Sequence, residues 1–192
     1  LTTPIIRALK EQKPSVEIHF VTKEAYSVVL ENHPGIDRLI LLKNALKDVI
    51  HEIRNENYDL IIDLHKNWRS LRIKAALRRP YISFQKLNFQ KWWMVRFKKN
   101  KLPAVHIVDR YFKELAKYGI VNDKQGLNYY SGLENEKDIP FLKHETDSYA
   151  ALVLGGTYFT KKIPEFKLIE IIKHLQIPVL LLGGKDEIFL AE

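Results

Sequence analysis

Residues 58–70 read YDLIIDLHKNWRS, and this stretch decides the fold class. The apolar run 60–62 has the composition of a β-strand that is buried on both faces. Polar and cationic side chains follow directly, and residues 69–79 then return to the apolar spacing of a helix. A buried strand, a polar loop and a helix make up one half of a parallel βαβ unit. The polar loop is either a solvated turn or a ligand-facing edge, since ligands bind beyond the carboxyl ends of such strands.

The same alternation extends on both sides of this stretch. In the first part of the chain we predict helices over 2–13, 23–32, 44–56, 69–79 and 106–120, and strands over 16–22, 38–42, 58–64 and 81–84. Asn44 is predicted to cap the third of these helices. Further along, strands over 148–156 and 177–184 flank a helix over 165–175. Repeated strand–helix alternation predicts parallel sheets with right-handed crossovers.

We therefore predict an α/β protein with two Rossmann-like, parallel-sheet domains. The first covers residues 1–120, a polar and aperiodic linker covers 121–147, and the second domain starts at 148 and runs to 192. Both ends look cut, because the chain opens in a helix without a preceding strand and stops in a predicted helix without a glycine cap. We expect a piece of a longer protein that lacks its first strand and part of its second domain.

Charge is concentrated in one segment of the chain. The net charge is +8, yet the twelve Lys and Arg residues between Leu64 and Val108 are accompanied by no Asp or Glu, and the remaining residues are net acidic. A basic segment of this kind implies an anionic partner, which could be nucleic acid, an acidic lipid surface or a phosphorylated glycolipid. The chain has no cysteine, which excludes disulfides and thiolate metal sites.

Within the basic segment, residues 90–101 (QKWWMVRFKKNK) mix aromatic and cationic side chains. This mixture suits base stacking in a nucleic-acid site or contact with a membrane interface. It equally suits a core helix whose lysines extend their charged ends to water. The sequence leaves all three interpretations open.

Two glycine pairs follow the strands of the second domain. In residues 154–166 (LGGTYFTKKIPEF), the glycines precede Thr157, Lys161 and Lys162, a combination that can hold a phosphate group. In residues 180–187 (LLLGGKDE), the glycines precede Asp186 and Glu187, either of which could bind a ribose diol. Each motif is also compatible with an ordinary turn, with surface lysines in the first and acids at a helix start in the second.

Other chemical motifs are weak. Asp63 and His65 could take part in acid–base chemistry, although Asp63 could equally cap backbone amides at the end of its strand. The seven histidines lack metal-binding spacing, and no Asp-x-Asp pair is present for a metal–nucleotide complex. We predict no metal site.

Taken in order, the motifs resemble glycosyltransferase family nine, the lipopolysaccharide heptosyltransferases. The resemblance rests on TTPIIRAL (2–9), DLIIDLHKNWRS (59–70), HIVDRYFKELAKYGI (106–120), TKKIPEF (160–166) and LLLGGKDE (180–187). In the fourth motif Ile163 stands where tryptophan is common in the family. These motifs span nearly the whole chain in the family's order.

The resemblance implies a GT-B fold and an enzyme that transfers a heptose-like sugar from an ADP-sugar to an anionic lipopolysaccharide-core acceptor. Transfer would invert the anomeric centre without a metal or other cofactor. For the donor, it assigns the diphosphate to Thr157, Lys161 and Lys162 and the ribose to Glu187 or Asp186. For the acceptor, it assigns the charged groups to His65, Asn67, Arg69 and Ser70.

The resemblance also implies that the general-base Asp precedes Leu1 and that a further donor loop follows Glu192, so this piece alone is expected to be inactive. The expected location is cytoplasmic, peripheral on the anionic inner face of the membrane, with no nucleic-acid partner. Two alternatives remain at this point: a GT-B transferase for another nucleotide sugar, and a basic nucleic-acid-binding α/β module.

Overall fold

The stretch 58–70 forms the predicted strand, loop and helix. The computed structural model describes residues 1–132, 148–156 and 158–190, with only the backbone described for Phe159, Asp186, Phe189 and Leu190. The chain divides into two compact units, Leu1–Asn135 and Glu136–Glu192. Each unit has its own parallel strands.

The first unit alternates helices and strands. Its helices are α1 (Thr3–Gln12), α2 (Leu46–Ile53), α3 (Trp68–Leu77), α4 (Asn88–Phe97) and α5 (Ile107–Leu115). Its strands are β1 (His19–Lys23), β2 (Arg38–Leu42), β3 (Ile61–Asp63) and β4 (Tyr81–Ser83). Strand β1 pairs in parallel with β2, and β3 pairs in parallel with β4. The α/β class with parallel pairing is therefore confirmed.

Two apolar clusters hold the first unit together. One lies beneath α1 and α5, and its buried members are Ile5, Ala8, Ile82, Phe84, Val108, Tyr111, Phe112, Leu115 and Ile120. The other lies between β2 and α2 and consists of Ile40, Val49 and Ile53. The helical spacing of the apolar residues in α1 and α5 places them on one face, so burying that face against the strands stabilises both helices.

The second unit is smaller in the described residues. Strand β5 (Ala150–Val153) pairs in parallel with β6 (Val179–Leu182), and helix α6 (Glu165–His174) connects them. Two 3₁₀ turns, Phe159–Lys161 and Lys185–Leu190, follow the glycine pairs at the ends of the two strands. The strand–helix–strand order predicted for this part of the chain is confirmed.

Two local predictions were wrong. Residues 23–32 were expected to form an α-helix, but only a short 3₁₀ helix forms over Glu24–Val29. This segment ends in the β-branched pair Val28–Val29, and such residues lose side-chain freedom in a helix. Asn44 does not cap α2, because the helix begins one residue later, after Ala45, without a side-chain cap.

Part of the predicted linker bonds to the first unit. Arg7 on α1 donates two hydrogen bonds to the Asp123 carboxylate, of 2.6 and 2.7 Å, and a third to the Gly126 carbonyl. The Asn128 amide donates to the Thr3 hydroxyl. Residues 121–128 are thus held against α1. Residues 133–147 lie outside the described residues, so the domain boundaries stay a prediction.

Candidate functional site

Asp63 organises the loop that follows β3. Its side chain lies at the end of the strand and is buried, with the residue 5% exposed. Its Oδ1 atom accepts hydrogen bonds from the amides of His65 (3.1 Å) and Lys66 (2.6 Å). Lys66 takes a left-handed conformation with φ of 45°, which turns the chain back towards the carboxylate. Of the two roles that the sequence left open for Asp63, the structure shows amide capping.

A buried ion pair fixes Asp63 in turn. The Nζ atom of Lys74, on α3, lies 2.7 Å from Oδ2 of Asp63, and the two side chains are only 8% and 2% exposed. The same ammonium group donates to the Ser83 hydroxyl at 2.8 Å and lies 4.5 Å from the centre of the Tyr81 ring. This pair therefore ties α3 to the carboxyl ends of both β3 and β4.

Sequence reasoning missed Lys74. The available signal was its position four residues after Ser70, which places it on the same face of α3 as the start of the helix. That position does not identify the partner carboxylate, because the pairing depends on how α3 crosses β3.

The environment of Asp63 sets its ionisation. Burial alone would raise the pKa of this carboxyl. The pKa is nevertheless lowered, because four neighbouring donors outweigh burial: the Lys74 ammonium, the Lys66 and His65 amides and the Ser70 hydroxyl. These donors favour the charged form.

A pH dependence follows from the lowered pKa. The folded-state pKa of Asp63 lies below its unfolded value of about 4, so its stabilising contribution is complete above that value. The contribution is lost as the pH falls through the lowered folded pKa. We expect the His65 and Lys66 amides to exchange with solvent faster, relative to core amides such as Ile82, as the pH falls below about 4. Hydrogen–deuterium exchange across an acid series measures this, and unchanged relative protection down to global unfolding would contradict it.

The predicted acceptor residues Asn67 and Ser70 cap helix α3. The Ser70 amide donates to Oδ1 of Asn67, and the Asn67 amide donates to the Ser70 hydroxyl, both at 2.9 Å. This reciprocal pair is a capping box, which satisfies two amides at the start of the helix. Asn67 and Ser70 therefore have a structural role, and their contact with an acceptor stays a prediction.

All four predicted acceptor residues line one cleft of the first unit. The cleft has a volume of about 590 Å³, and its polar lining includes His65, Asn67, Arg69, Ser70, Asp63, Lys74, Thr22 and Lys23. Its apolar part lies between β1 and β3, whose residues 19–23 and 61–63 all contribute to the wall. His65 and Arg69 are exposed at this site, whereas Asn67 and Ser70 are half-buried. The structure thus brings cationic and hydrogen-bonding side chains to the carboxyl ends of neighbouring strands.

In the second unit, Glu187 lies against the glycine pairs. The residue is only 9% exposed, and a methyl group at Gly155 would lie 3.2 Å from its carboxylate. At Gly183 a methyl group would approach Cβ of Glu187 to 3.0 Å, which is too close for a larger side chain. The glycines at the ends of β5 and β6 therefore make room for this glutamate, a role that the sequence did not reveal.

Lys162 is the cation that pairs with Glu187. Its Nζ atom lies 3.1 Å from Oε1 of the carboxylate, and the Gly184 amide donates to Oε2 at 3.0 Å. The Lys162 ammonium, followed by the Gly184 amide, lowers the pKa of Glu187, which keeps it ionised. Lys161 ends the neighbouring 3₁₀ turn, and its Nζ lies 5.5 Å from the centre of the Tyr158 ring. The structure thus separates the roles of two adjacent lysines.

Two predicted donor residues lie outside this description. Thr157 is not among the described residues, and only the backbone of Asp186 is described, within the turn Lys185–Leu190. Their assignment to the donor stays a prediction. In the described part of the chain, no group of three or more His, Asp or Glu residues is placed to hold a metal ion, and no helix is long and apolar enough to span a membrane.

Comparison with known proteins decides the family. The model of glycosyltransferase family 9 (heptosyltransferase) matches residues 46–190, which include both the β3 loop and the glycine pairs. This chain belongs to glycosyltransferase family 9. The resemblance inferred from the sequence motifs is confirmed.

A curated relative resembles part of the chain. Lipopolysaccharide heptosyltransferase 1 of Campylobacter coli is 29% identical over 104 residues, which are 51% of this chain and 30% of that protein. The matched region is therefore less than a third of the relative's length.

Solved structures share the fold over nearly the whole chain. A family 9 glycosyltransferase from Veillonella parvula DSM 2008 has a TM-score of 0.74 at 22% identity and covers 98% of this chain and 60% of its own. The E. coli heptosyltransferase WaaC, solved with ADP, has a TM-score of 0.67 at 20% identity, covering 99% of this chain and 64% of its own. E. coli ADP-heptose lps heptosyltransferase II gives 0.64 at 16% identity, covering 98% and 62%. At these identities the likeness shows the fold, and the predicted GT-B type is confirmed.

Proposed function

We propose that this family 9 chain is part of a heptosyltransferase that moves a heptose, or a similar sugar, from an ADP-sugar to an anionic lipopolysaccharide-core acceptor. The observation that carries the proposal is the family match over residues 46–190, which include the β3 loop and both glycine pairs. The chain spans 60–64% of the solved relatives, so the activity is proposed for the whole protein. Transfer would invert the anomeric centre and would need no metal.

The donor side of the proposal rests on the second unit. Glu187 is ionised beside two glycine pairs. Its carboxylate can accept hydrogen bonds from a ribose diol, either after the Lys162 ammonium moves away or while it stays bound to one of the two oxygens. Lys161, with Thr157, would lie against the diphosphate. A lysine offsets the negative charge that grows on a nucleoside diphosphate as the sugar leaves, so it stabilises the transition state more than the ground state.

The acceptor side rests on the polar end of the cleft in the first unit. Arg69 and His65 are exposed there, next to the rigid cap formed by Asn67 and Ser70. A guanidinium group can bind a carboxylate or phosphate through two parallel hydrogen bonds. The chain thus offers a cationic site to an acidic core sugar, while the general base is proposed to lie before Leu1.

The apolar part of the cleft suits a strand better than a sugar. Within the described residues, β1 pairs only with β2 and β3 only with β4, so the edges that line the cleft have no strand partner. We propose that a parallel strand preceding α1 completes the sheet there. This arrangement would leave the polar carboxyl end of the cleft for the acceptor.

The basic segment supports a membrane partner for the whole protein. Residues between Leu64 and Val108 carry twelve cations and no acid. Each cation near an anionic surface contributes about 1 kcal/mol, within a Debye length. We propose that this attraction holds the enzyme on the anionic inner face of the cytoplasmic membrane, where a lipid-linked acceptor is found.

A donor-binding screen tests the proposed function. Full-length protein is titrated calorimetrically with ADP-, UDP- and GDP-sugars, and we expect binding to the ADP-sugars only. Because Ile163 replaces a tryptophan that is common in the family, preference for another nucleotide is the outcome that would favour a different GT-B transferase. Binding to none of the three groups, by correctly folded protein, would contradict sugar transfer from a nucleotide.

Replacing Arg69 should impair use of the acceptor more than use of the donor. In full-length enzyme, Arg69→Ala removes a charge-assisted contact that is worth roughly 1.5–3 kcal/mol if it is substantially desolvated. We expect the acceptor KM to rise about tenfold or more while the donor KM stays within about twofold. Arg72→Ala, on the following turn of α3, is the matched control. Wild-type acceptor kinetics in Arg69→Ala would show that this arginine is only a solvated residue on the surface of α3.

A further inference from the structure

Helix α4 presents an unusual apolar face to solvent. Phe89, Trp92 and Val95 follow one another at intervals of three residues and are 66%, 55% and 66% exposed. Side chains three apart lie near one another on a helix surface. Exposing three large apolar groups together is unfavourable in water, so such a face indicates a contact that is absent from the described residues.

The exposed face is supported from within its own segment. The rings of Phe89 and Trp92 stack with their centres 5.9 Å apart. The ring of half-buried Trp93 lies with its centre 4.4 Å from that of Phe97, and the Lys101 ammonium lies 4.3 Å from the centre of the Trp93 ring. The helix therefore holds its outer aromatic side chains in place without covering them.

Exposed cations lie on α4 and directly after it, and no acid interrupts them in the sequence. Lys91, Arg96, Lys98 and Lys99 are all exposed, and the whole interval from Leu64 to Val108 contains no Asp or Glu. Aromatic and aliphatic side chains ringed by lysine and arginine are typical of helices that lie in the interface of an anionic bilayer. Tryptophan in particular favours the headgroup level, where its ring is partly apolar and partly polar.

We propose that α4 lies in the plane of an anionic bilayer, with Phe89, Trp92 and Val95 in the boundary between headgroups and acyl chains. Lys91, Arg96, Lys98 and Lys99 then contact lipid phosphates. The inference rests on the membrane partner proposed above and adds to it a site and a mode of binding. Insertion of apolar groups adds a component that salt does not screen, unlike the long-range attraction of the basic segment.

The observations favour a lipid surface over a nucleic acid. Bases stack on aromatic rings, but Val95 provides no stacking surface and continues the apolar face beyond the two rings. Cation–phosphate contacts alone would suffice for nucleic acid and would leave this face in water. A bilayer accounts for both the charge and the apolar face.

The test compares full-length wild type with two triple-serine variants. One variant carries Phe89→Ser, Trp92→Ser and Val95→Ser. Its matched control carries Val121→Ser, Leu127→Ser and Tyr129→Ser, three exposed apolar positions outside the basic segment. Vesicles of phosphatidylcholine with or without phosphatidylglycerol are titrated at low and high salt, and circular dichroism confirms folding of each variant.

We expect the α4 variant to lose at least about tenfold in partitioning into anionic vesicles, while the control changes by less than about twofold. Tryptophan emission of the wild type should shift to shorter wavelength on binding, and lipids brominated on their acyl chains should quench it. In Trp92→Phe, partitioning should persist while most of the shift and the quenching disappears. High salt should weaken binding of the wild type to anionic vesicles. The protein that remains bound should still be quenched by brominated lipid to the same extent per molecule.

Three results would overturn the inference. One is partitioning of the α4 variant equal to that of the wild type, and another is binding to vesicles without quenching by brominated chains. Equal losses of the α4 variant on duplex DNA and on vesicles would also contradict it, because they would show that this apolar face is not selective for lipid. Turnover with a short, water-soluble acceptor tests the proposed transfer activity separately from membrane binding. The α4 variant should keep this turnover, because a soluble acceptor does not require the membrane. If the wild type itself shows no turnover with this acceptor, the result counts against the proposed transfer activity and not against membrane binding by α4.

Discussion

Lys74→Met should destabilise the first unit by about 3–5 kcal/mol, the largest effect on stability that we expect from one substitution. Methionine nearly matches lysine in length, so the volume is kept while the charge is removed. Asp63 then stays buried at the end of β3 without its ammonium partner, which was 2.7 Å away. A loss of this size is a large share of the 5–15 kcal/mol that is typical of a domain. Urea unfolding followed by circular dichroism measures it.

A double-mutant cycle assigns the loss to the ion pair. Asp63→Asn alone leaves the Lys74 ammonium buried without a carboxylate, so it too should destabilise the unit. The double variant Asp63→Asn/Lys74→Met should lose less than the sum of the two single losses, because neither partner is then left charged and unpaired. Lys91→Met, at an exposed position on α4, is the matched control and should change stability by less than about 0.5 kcal/mol. If Lys74→Met lowers the free energy of unfolding by less than about 1 kcal/mol, the Lys74–Asp63 ion pair is exposed to solvent rather than buried.

Lys161→Ala should lower kcat/KM in the full-length enzyme at least about tenfold, with the fold intact. If Lys161 offsets charge on the departing nucleoside diphosphate, its contribution grows towards the transition state, and the loss appears in kcat as well as in the donor KM. Steady-state kinetics at varied donor concentration separates the two parameters.

Lys162→Ala is the informative comparison, because the structure gives the neighbouring lysine a different partner. Lys162 holds the Glu187 carboxylate at 3.1 Å, so its removal should loosen Glu187 and affect mainly the donor KM. Glu187→Gln should then resemble Lys162→Ala in its kinetics. If Lys162→Ala loses turnover and Lys161→Ala does not, then Lys162, rather than Lys161, offsets the charge on the departing nucleoside diphosphate. Wild-type kinetics in both variants would mean that the turn after β5 does not bind donor.

Much of the fold could be predicted from the sequence, because each element is encoded by a local apolar period. The strand over 38–42 was predicted with the bounds that the structure shows, and the amphipathic patterns of α1 and α5 placed both helices correctly. Where local signals conflict, prediction was wrong. Residues 24–29 contain β-branched side chains that oppose an α-helix, and only a short 3₁₀ helix forms.

The sequence placed the candidate residues at strand ends but did not reveal their partners. It located Asn67, Ser70 and Glu187 correctly just beyond the carboxyl ends of β3 and β6. It did not show that Asn67 and Ser70 cap α3 through each other, or that the glycine pairs accommodate Glu187. A glycine in a turn is compatible with a bound phosphate and with a packed side chain, and only the neighbouring atoms distinguish them.

By itself, the sequence determined the family, the α/β class and the basic character of residues 64–108, since these depend on residue order, apolar period and charge. The tertiary structure decided which charges are neutralised. Lys74 pairs with Asp63 eleven residues away because α3 packs back against the end of β3. Lys162 pairs with Glu187 twenty-five residues away because the parallel strands β5 and β6 bring their carboxyl ends to one edge of the sheet. It also decided that Phe89 and Trp92 of α4 face solvent rather than the core. Neither outcome is encoded in a local pattern, because both depend on how helices cross strands that are distant in the chain.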